Sequence, residues 1–594
     1  MLARLVPALT WGRAYDRRQL GSDALAAVIV TVMLIPQSLA YAMLAGLPPY
    51  IGLYASILPL IAYAAFGSSR VLAVGPVAVV SLLTAAAIGK VAAPGTAEYL
   101  AAAVVLALLS GLFLVAMGLA RLGFLANLLS HPVISGFISV SGVLIAVSQL
   151  KHVLGVPAQG ETLPEIAAAL AGHVDETNGP TLIIGLATIA FLFFVRSRLK
   201  PLLAGLGLAS RAADVLVKAG PVLAIAVSIL AVGGLGLAEA GVRIVGEIPR
   251  GLPPLQLPAF DAGLWLELAP AAALLSIIGF VESVSVAQTL AARRRQRIEP
   301  DQELVGLGAA NLASAFSGGY PVTGGFARSV VNADAGAETP MAGVFAALGI
   351  ALTTLFLTPL FHDLPQAVLA ATIIVAVLSL VDLGAIRLTW TYCKGDFAAM
   401  ALTIALVLGV GVEAGIVAGV ILSLLLFLWR TSRPHMAVLG QVPGTEHYRN
   451  VDRHEVVVSK SVLSVRVDES LYFANARYLE DRIYALVAER PALEHVVLVC
   501  PAVNFIDASA LESLEMIADR LRAMGVTFHL SEVKGPVTDR LARSDFSTHF
   551  TGRVFLSQHQ AMAALDPETT RRADPPGHEP ARGGHDQPAL THAR

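Results

Sequence analysis

The chain has 594 residues, of which 56% are hydrophobic and only 14% charged, and its formal net charge is −2. This composition excludes a soluble globular protein, because so much apolar surface needs lipid to bury it. The only two cysteines, Cys393 and Cys500, are far apart in the chain, which excludes a disulfide framework or a cysteine zinc site. We therefore expect a membrane protein that holds no metal and no cofactor.

Apolar runs long enough to cross a hydrocarbon core about 30 Å thick recur from Ser22 to Arg430 and then stop. The first run lacks a small-residue cleavage site, so we interpret it as a retained span rather than a signal peptide. Gly, Pro and charged residues divide the region into fourteen candidate spans. They cover residues 22–44, 48–67, 71–90, 98–119, 122–149, 179–195, 219–238, 265–291, 302–318, 322–334, 341–360, 364–382, 396–411 and 413–430.

The distribution of basic residues tests this count independently. Leaving out Arg328, which lies within a span, the chain has 23 Lys and Arg residues up to Arg433. Only Lys90, Lys151, Arg243 and Arg250 fall on loops that fourteen crossings place outside. Because basic residues concentrate on cytoplasmic loops, the pattern predicts that both termini are cytoplasmic.

Two of the candidate spans are interrupted. The third carries Gly75-Pro76, and the tenth opens with the sequence SGGYPVTGG at residues 317–325. Pro favours a first helical turn and Gly permits unusual backbone, so each break predicts an extended stretch that starts a half-helix at mid-membrane. Their matching places fit two inverted repeats of seven spans, over about residues 21–238 and 265–430, although the same motifs could merely kink ordinary helices.

Arg328 lies one turn inside the second half-helix, where a buried charge costs roughly 2.5 to 3.5 kcal/mol. Together with two facing helix N-termini, it predicts a pocket for a small anion. The alternative is a structural ion pair with Glu282 or Asp334.

Other polar residues in the spans are candidates for binding or coupling. Glu282, in the eighth span, is a candidate proton carrier, because a buried carboxyl accepts a proton at modest cost; a structural ion pair is the alternative. Gln37 and Tyr41 share one face of the first span and could contact a ligand or simply line the pocket. His131, beside Pro132, is interpreted as a helix-end or hinge residue.

The chain contains no GxxxxGK[ST] phosphate loop, so we expect secondary transport rather than an ATP-driven motor. For a transporter of this kind we expect neither an enzyme activity nor a nucleic-acid partner.

After Pro434 the pattern changes to short β-type runs and amphipathic helices. Strands are predicted at 461–467, 495–500 and 526–530, and helices at 475–489 and 509–524, which indicates a small α/β domain over residues 440–564. Ser509 with Glu512 matches a capping box, and phosphorylation of Ser509 is the regulatory alternative. The Pro-rich segment 565–594 is predicted to be disordered.

The sequence resembles the SulP family of anion transporters. The resemblance rests on IPQSLAY at 35–41 with LPPYIGLY at 47–54, on VGPVAVVS at 74–81, and on GFARSVVN at 325–332. The soluble part resembles the STAS domain that follows the spans in this family.

The resemblance implies an α-helical polytopic protein whose fourteen spans form two inverted seven-span repeats, split into core and gate subdomains. The expected organisation is a cytoplasmic segment 1–20, a transport domain 21–433 and a STAS domain. It also implies a homodimer in the inner (plasma) membrane with cytoplasmic STAS domains.

The expected substrate-binding residues lie in three segments: Gln37, Tyr41, Pro76, Val77, Ala78, Thr323, Gly324, Phe326, Ala327 and Arg328. Glu282 is expected to couple transport to protons. Val286 does not match the hydroxyl residue of sodium-coupled bicarbonate members, which argues against sodium.

Sulfate or a related oxyanion, carried by proton symport with alternating access, is the expected function. Bicarbonate or C4-dicarboxylate transport and a proton-coupled nucleobase permease remain alternatives within the architecture. A membrane-anchored STAS regulator that transports little is the alternative from a different class.

Overall fold

Apolar α-helices make up most of residues 17–432 of the computed structural model, which describes residues 6–127, 130–206, 216–217, 219–258 and 260–573. The first half contains α1 Ala8–Trp11, α2 Arg17–Leu44, α3 Tyr50–Tyr54, α4 Leu58–Phe66, α5 Ala78–Ile88, α6 Ala97–Leu119, α7 His131–Ser148, α8 Leu150–Leu154, α9 Leu163–Gly172, α10 Gly179–Phe194, α11 Lys200–Gly205 and α12 Gly220–Leu235. The second half contains α13 Ala262–Arg293, α14 Pro300–Phe316, α15 Phe326–Asp334, α16 Met341–Leu352, α17 Gln366–Leu378, α18 Leu383–Tyr392, α19 Lys394–Gly409 and α20 Val412–Ser432.

Each of the fourteen predicted spans contains at least one helix. Among the described residues, eight helical stretches are long and apolar enough to cross a membrane: Arg17–Leu44, Ala97–Leu119, His131–Leu154, Gly179–Leu203, Ala262–Arg293, Met341–Phe361, Gln366–Tyr392 and Val412–Ser432. The prediction for residues 122–149 was too long, because α7 begins only at His131, with Pro132 in its first turn. His131 is thus a helix-start residue, as expected.

The two interrupted spans meet each other. β1 (Val74–Gly75) pairs antiparallel with β2 (Thr323–Gly324), and a short helix follows each strand: α5 after β1 and α15 after β2. Two strand–helix units running in opposite directions side by side are the arrangement that an inverted repeat gives. Sequence spacing predicted the breaks, and the structure pairs them.

Buried carboxylates on two of the helices accept hydrogen bonds from neighbouring loops. The Asp23 carboxylate on α2 accepts hydrogen bonds from the backbone N–H groups of Glu338 and Thr339, and from the Thr339 hydroxyl. Glu303 on α14 is fully buried and accepts bonds from the loop after α4. Such buried carboxylates are tolerated because donors surround them.

The chain divides into two compact units, Met1–Ser423 and Leu424–Arg594. The sheet of the second unit has the order β4-β3-β5-β6-β7-β8, with β5 to β8 parallel. Its strands are β3 Met436–Gln441, β4 Tyr448–Asn450, β5 Val462–Val467, β6 His495–Val499, β7 Thr527–Ser531 and β8 Val554–Phe555. Its helices are α21 Phe473–Ala488, α22 Ala508–Ala523, α23 Gly535–Leu541, α24 Phe546–His549, α25 Gln558–Leu565 and α26 Pro567–Ala573. The predicted α/β domain is therefore present.

Two details of this unit correct the sequence interpretation. Asp507, not Ser509, caps α22 by accepting the N–H of Ala510, because the helix begins one residue earlier than predicted; Ser509 is exposed in its first turn. Residues 567–573 are helical where disorder was predicted, since Thr569, Thr570 and Ala573 are buried. The rest of the predicted disordered segment, 574–594, lies outside the described residues.

Candidate functional site

Arg328 joins the two interrupted spans. Its Nη2 donates to the carbonyl oxygens of Gly75 at 2.6 Å and Thr323 at 2.8 Å, one on each short strand. The side chain is 3% exposed, and its Nε is buried without a hydrogen-bond partner among the described residues. The guanidinium fits because a Cβ at Gly75 would lie 2.8 Å from Nη1, and one at Gly325 would lie 2.6 Å from Nε.

Both half-helices begin without a side-chain cap. The first intrahelical bonds run from Ser81 to Val77 and from Ser329 to Gly325, so the preceding N–H groups have no acceptor within their helices. At the start of α15, Phe326 is 48% exposed and Ala327 is exposed as well. Two bare helix N-termini beside a buried guanidinium form a locally positive region suited to an anion.

The predicted ligands Thr323 and Gly324 already use their polar groups. The Thr323 hydroxyl bonds the Gly279 carbonyl at 2.7 Å and the Ser283 hydroxyl at 2.6 Å. Gly324 donates its N–H to the Ser283 hydroxyl at 2.9 Å. These bonds attach β2 to α13, the helix that also carries Glu282.

Sequence reasoning missed the polar side chains that hold the break in place. Asn311 on α14 bonds both the N–H and the carbonyl of Val322, while Ser329 accepts the N–H of Ala73 and Asn332 donates to the carbonyl of Val71. The available signal was the run of buried polar residues at positions 328, 329 and 332 in an apolar region. Such groups need partners, which here are backbone groups, of the other repeat for Ser329 and Asn332 and of both repeats for Arg328.

Gln37 and Tyr41 lie on α2 near the same region. Tyr41, Glu282 and Arg328 are close enough to interact electrostatically. Gln37 lines a cavity of about 320 Å³ together with Pro36, Arg196 and Val331, the last of these on α15. The structure therefore packs α2 against both half-helices, but no other predicted site residue lines the cavity that Gln37 lines.

Glu282 forms no ion pair with Arg328 or Asp334 within 4.0 Å, although all three lie in the described ranges. It lines a small pocket whose other members are apolar, among them Phe137 on α7 and Ile416 on α20. The structural ion pair considered from the sequence is therefore absent between these residues. Glu282 keeps a carboxyl group in apolar surroundings, without a compensating cation in contact.

Comparison with known proteins gives a family for this arrangement. Residues 20–403 match the model of the sulfate permease family, and residues 453–561 match the STAS domain. A probable sulfate transporter of Arabidopsis thaliana (4.2) is 36% identical, over 91% of this chain and 80% of its own length. A probable sulfate transporter of Mycobacterium tuberculosis is 34% identical, over 94% of this chain and 98% of its own length.

Solved structures show the same fold. The murine Solute Carrier 26 family member A9 anion transporter, in the inward-facing state, matches with a TM-score of 0.84 and 24% identity over 95% of this chain and 94% of that one. The transmembrane domain of the cyanobacterial bicarbonate transporter BicA matches with a TM-score of 0.58 and 25% identity, over 68% of this chain and 98% of that one.

Proposed function

The chain belongs to the sulfate permease family, and on that premise we propose that it transports a small anion, sulfate first, across the inner (plasma) membrane. The observation that supports this most directly is the pair of uncapped half-helix N-termini, brought together by β1 and β2 around Arg328. Sulfate is favoured because the curated relatives quoted above are named as sulfate transporters.

The proposed site binds the anion mainly through the backbone. Val77 and Ala78 at one helix start, and Phe326 and Ala327 at the other, present N–H groups to a tetrahedral oxyanion, whose several acceptor oxygens suit such a cradle. Each helix end contributes typically 0.3 to 1 kcal/mol, and up to about 2 kcal/mol when partly buried. Arg328 adds a fixed positive charge while it holds the two strands together.

The remaining predicted site residues then have distinct roles. Pro76 lies two residues before α5, which begins at Ala78, and Thr323 and Gly324 position β2 rather than bind the anion, because their hydrogen-bonding groups are occupied. Gln37 and Tyr41 provide the wall of the site on α2. These assignments predict that Thr323→Val lowers stability more than it changes the order of substrate preference.

Proton symport is the proposed energy source, with Glu282 as the carrier. A carboxylate in an apolar pocket is costly, whereas the protonated carboxyl group is not. Proton uptake by Glu282 therefore favours the arrangement seen here, in which α13, α7 and α20 line one apolar pocket. Glu282→Gln keeps the shape and removes the proton. Proton-driven accumulation should disappear while counterflow of labelled sulfate continues, and the matched change at the exposed Glu98 should alter neither.

Sodium and enzymatic chemistry have no part in this proposal. Val286 is buried and supplies no oxygen for a cation near Glu282. A sodium gradient that drove uptake at fixed pH would refute the proton assignment. A homodimer with cytoplasmic STAS domains is proposed from family resemblance and is tested by the mass of the purified detergent complex.

Bicarbonate is the second candidate, favoured by the structural match to BicA. Purified protein in liposomes should be tested for uptake of labelled sulfate, bicarbonate, succinate and uracil. Saturable sulfate uptake supports the proposal, and uptake of only bicarbonate or succinate changes the substrate. Uptake of uracil alone would indicate a nucleobase permease, and uptake of none would favour a regulator over a transporter.

A further inference from the structure

Ser283 bonds the helix that carries Glu282 to the strand that leads into the second half-helix. The side chain is fully buried on α13, directly after Glu282. Its hydroxyl oxygen accepts the N–H of Gly324 at 2.9 Å and lies 2.6 Å from the Thr323 hydroxyl. The same oxygen lies 2.7 Å from the carbonyl oxygen of Gly279, one turn earlier on α13. A single atom of Ser283 thus contacts both the backbone and a side chain of β2.

From β2 the hydrogen bonds continue to the candidate anion site. Thr323 bonds α13 through its hydroxyl, and its carbonyl oxygen accepts from Arg328 Nη2 at 2.8 Å. The same Nη2 donates to the carbonyl oxygen of Gly75 on β1 at 2.6 Å. A continuous series of bonds therefore runs from Ser283 through Thr323 and Arg328 to the interrupted span of the other repeat.

Glu282 lies on a different side of α13 from Ser283, because neighbouring helical residues are about 100° apart around the axis. The residues of α7 and α20 that line its pocket are all apolar: Val133, Ile134, Phe137, Ile138 and Ile416. The titratable groups that affect it electrostatically are Arg328 on α15 and Tyr41 on α2. A change in the charge of Glu282 therefore alters how α13 packs on one side, while Ser283 holds β2 on another.

We propose that Ser283 is a positioning residue that passes the protonation state of Glu282 to β2 and thereby to Arg328. This role rests on the proposed function of Glu282 as the proton carrier. With Glu282 protonated, α13 packs against α7 and α20, and Ser283 holds β2 in the arrangement seen here. With Glu282 ionised, the apolar pocket disfavours the charge, α13 shifts, and the bonds of Ser283 transfer that shift to β2.

Ser285, on the same helix, provides a matched control. Its hydroxyl donates to the carbonyl oxygen of Val281 at 2.7 Å, four residues earlier, and makes no bond to β2 among the described residues. Ser283→Ala and Ser285→Ala therefore remove the same atom from the same helix, but only the first removes bonds to β2.

The first experiment follows amide hydrogen exchange of residues 320–327 in the full-length protein in phosphatidylcholine nanodiscs, without sulfate. Wild type and Glu282→Gln are compared in the same buffers, at about pH 5 and about pH 9. Because glutamine stays neutral, the two proteins should exchange alike at the lower pH. At the higher pH the wild-type segment should exchange about fivefold faster or more.

The serine variants then show whether Ser283 carries this effect. In the Ser283→Ala background, Glu282→Gln should no longer change the exchange of residues 320–327, whereas in the Ser285→Ala background the difference should remain. Equal exchange of wild type and Glu282→Gln at the higher pH overturns the proposal without any change at Ser283. If Ser283→Ala fails to fold, Thr323→Val removes one partner of Ser283 instead and should reduce the difference; an undiminished difference would overturn the proposal.

The affinity for sulfate gives a second readout in the same proteins. Wild type and Ser285→Ala should bind sulfate about fivefold more tightly or better at the lower pH, and Ser283→Ala should lose this dependence. Dependence retained in Ser283→Ala would mean that Glu282 acts on Arg328 directly through space, which overturns the role of Ser283.

These outcomes separate the role of Ser283 from the proposed function. If sulfate does not bind but the exchange difference depends on Ser283, the proposed substrate is wrong and the role of Ser283 stands. If Glu282 is required for proton-driven accumulation but the exchange difference persists in Ser283→Ala, only the role of Ser283 fails. If Glu282→Gln leaves proton-driven accumulation intact, both fail together.

Discussion

At the scale of single residues, Arg328 and Glu303 in the first unit are held by backbone and hydroxyl groups rather than by opposite charges. Arg328 is bonded to two carbonyl oxygens, and Glu303 to backbone and hydroxyl donors. Glu282 differs from these two residues, because it lies in an apolar pocket with no cation in contact. Residues fixed by several bonds are expected to be structural or positioning, and the one without such bonds is the one free to change protonation.

Arg328 is expected to affect both affinity and stability. Arg328→Ala should weaken sulfate binding by about tenfold to a hundredfold, because a charge-assisted interaction contributes roughly 1.5 to 3 kcal/mol and about 1.4 kcal/mol is one decade. It should also lower detergent stability, since it removes the two side-chain bonds that Arg328 donates to the carbonyl oxygens of Gly75 and Thr323, one on each strand. Arg328→Lys keeps the positive charge but loses the forked guanidinium group. Compared with Arg328→Ala, it should therefore recover more of the sulfate affinity than of the detergent stability.

Measurement of the sulfate affinity and of the thermal unfolding midpoint in the same detergent checks this prediction. Unchanged affinity with a large loss of stability in Arg328→Ala would leave Arg328 as a purely structural residue. If Glu282→Gln then restored stability in the double variant, the two would be coupled despite the absence of a direct ion pair.

Glu303 gives a stability prediction without a functional component. Its carboxylate accepts bonds from the Tyr63 hydroxyl at 2.7 Å, from the Ser68 N–H and hydroxyl, and from the Ser69 N–H. Glu303→Gln replaces an acceptor oxygen with a donor that faces donors, so it should cost about 2 to 4 kcal/mol. Thermal unfolding of this variant, compared with Glu299→Gln at an exposed neighbouring position, measures the effect; equal midpoints would contradict it.

At the scale of secondary-structure elements, helix starts determine where polar groups are available. α5 and α15 begin uncapped, so their N–H groups remain available to a ligand. In the soluble unit, one carboxylate caps two helix starts. Asp507 accepts the N–H of Ala510 on α22 through one carboxylate oxygen and the N–H of Phe473 on α21 through the other.

Asp507→Ala should therefore destabilise the STAS domain by about 1 to 2 kcal/mol, because loss of a capping carboxylate has that cost and two helix starts share this one. Ser509→Ala, two residues further on in the exposed first turn, should cost much less. Chemical denaturation of the two variants, followed by the change in circular dichroism, separates the roles. A larger loss for Ser509→Ala would restore the capping box that the sequence suggested.

At the scale of the whole molecule, contacts between loops agree with the predicted count of crossings. Loops predicted inside contact one another, as in the bonds of Asp23 to residues 338 and 339 and of Glu303 to residues 68 and 69. Loops predicted outside do the same, as in the Lys90–Glu413 ion pair and the bond from Gln366 to Arg243. If the number of crossings were wrong by an odd number, some of these partners would lie on opposite sides of the bilayer.

The orientation is tested by fusing alkaline phosphatase, which is active only outside the cytoplasm, after Arg433. In a bacterial host this fusion should be inactive, because the basic residues place that end of the chain inside. A fusion in the outer loop after Arg250 should be active and serves as the control. Activity at Arg433 would show that the number of crossings is odd.

The STAS domain is expected to tune transport rather than form the site, since the candidate site residues all lie in the first unit. Deletion of residues 440–594 should change the rate of uptake or the stability of the proposed dimer and leave the order of substrate preference unchanged. Competition by unlabelled anions, compared between the full-length and shortened proteins, is the measurement. A changed order of preference in the shortened protein would refute this division of roles.

The sequence by itself determined the apolar spans, the two breaks, the family and the α/β domain, because run length, Gly-Pro punctuation and residue periodicity are local properties. It could not determine what Arg328 contacts, since Gly75 lies 253 residues away in the chain. Nor could it show that Thr323 is bonded to α13 or that Asp507 caps two helices. Those partners depend on packing between distant segments, where a buried polar group takes whichever donor or acceptor the fold brings to it.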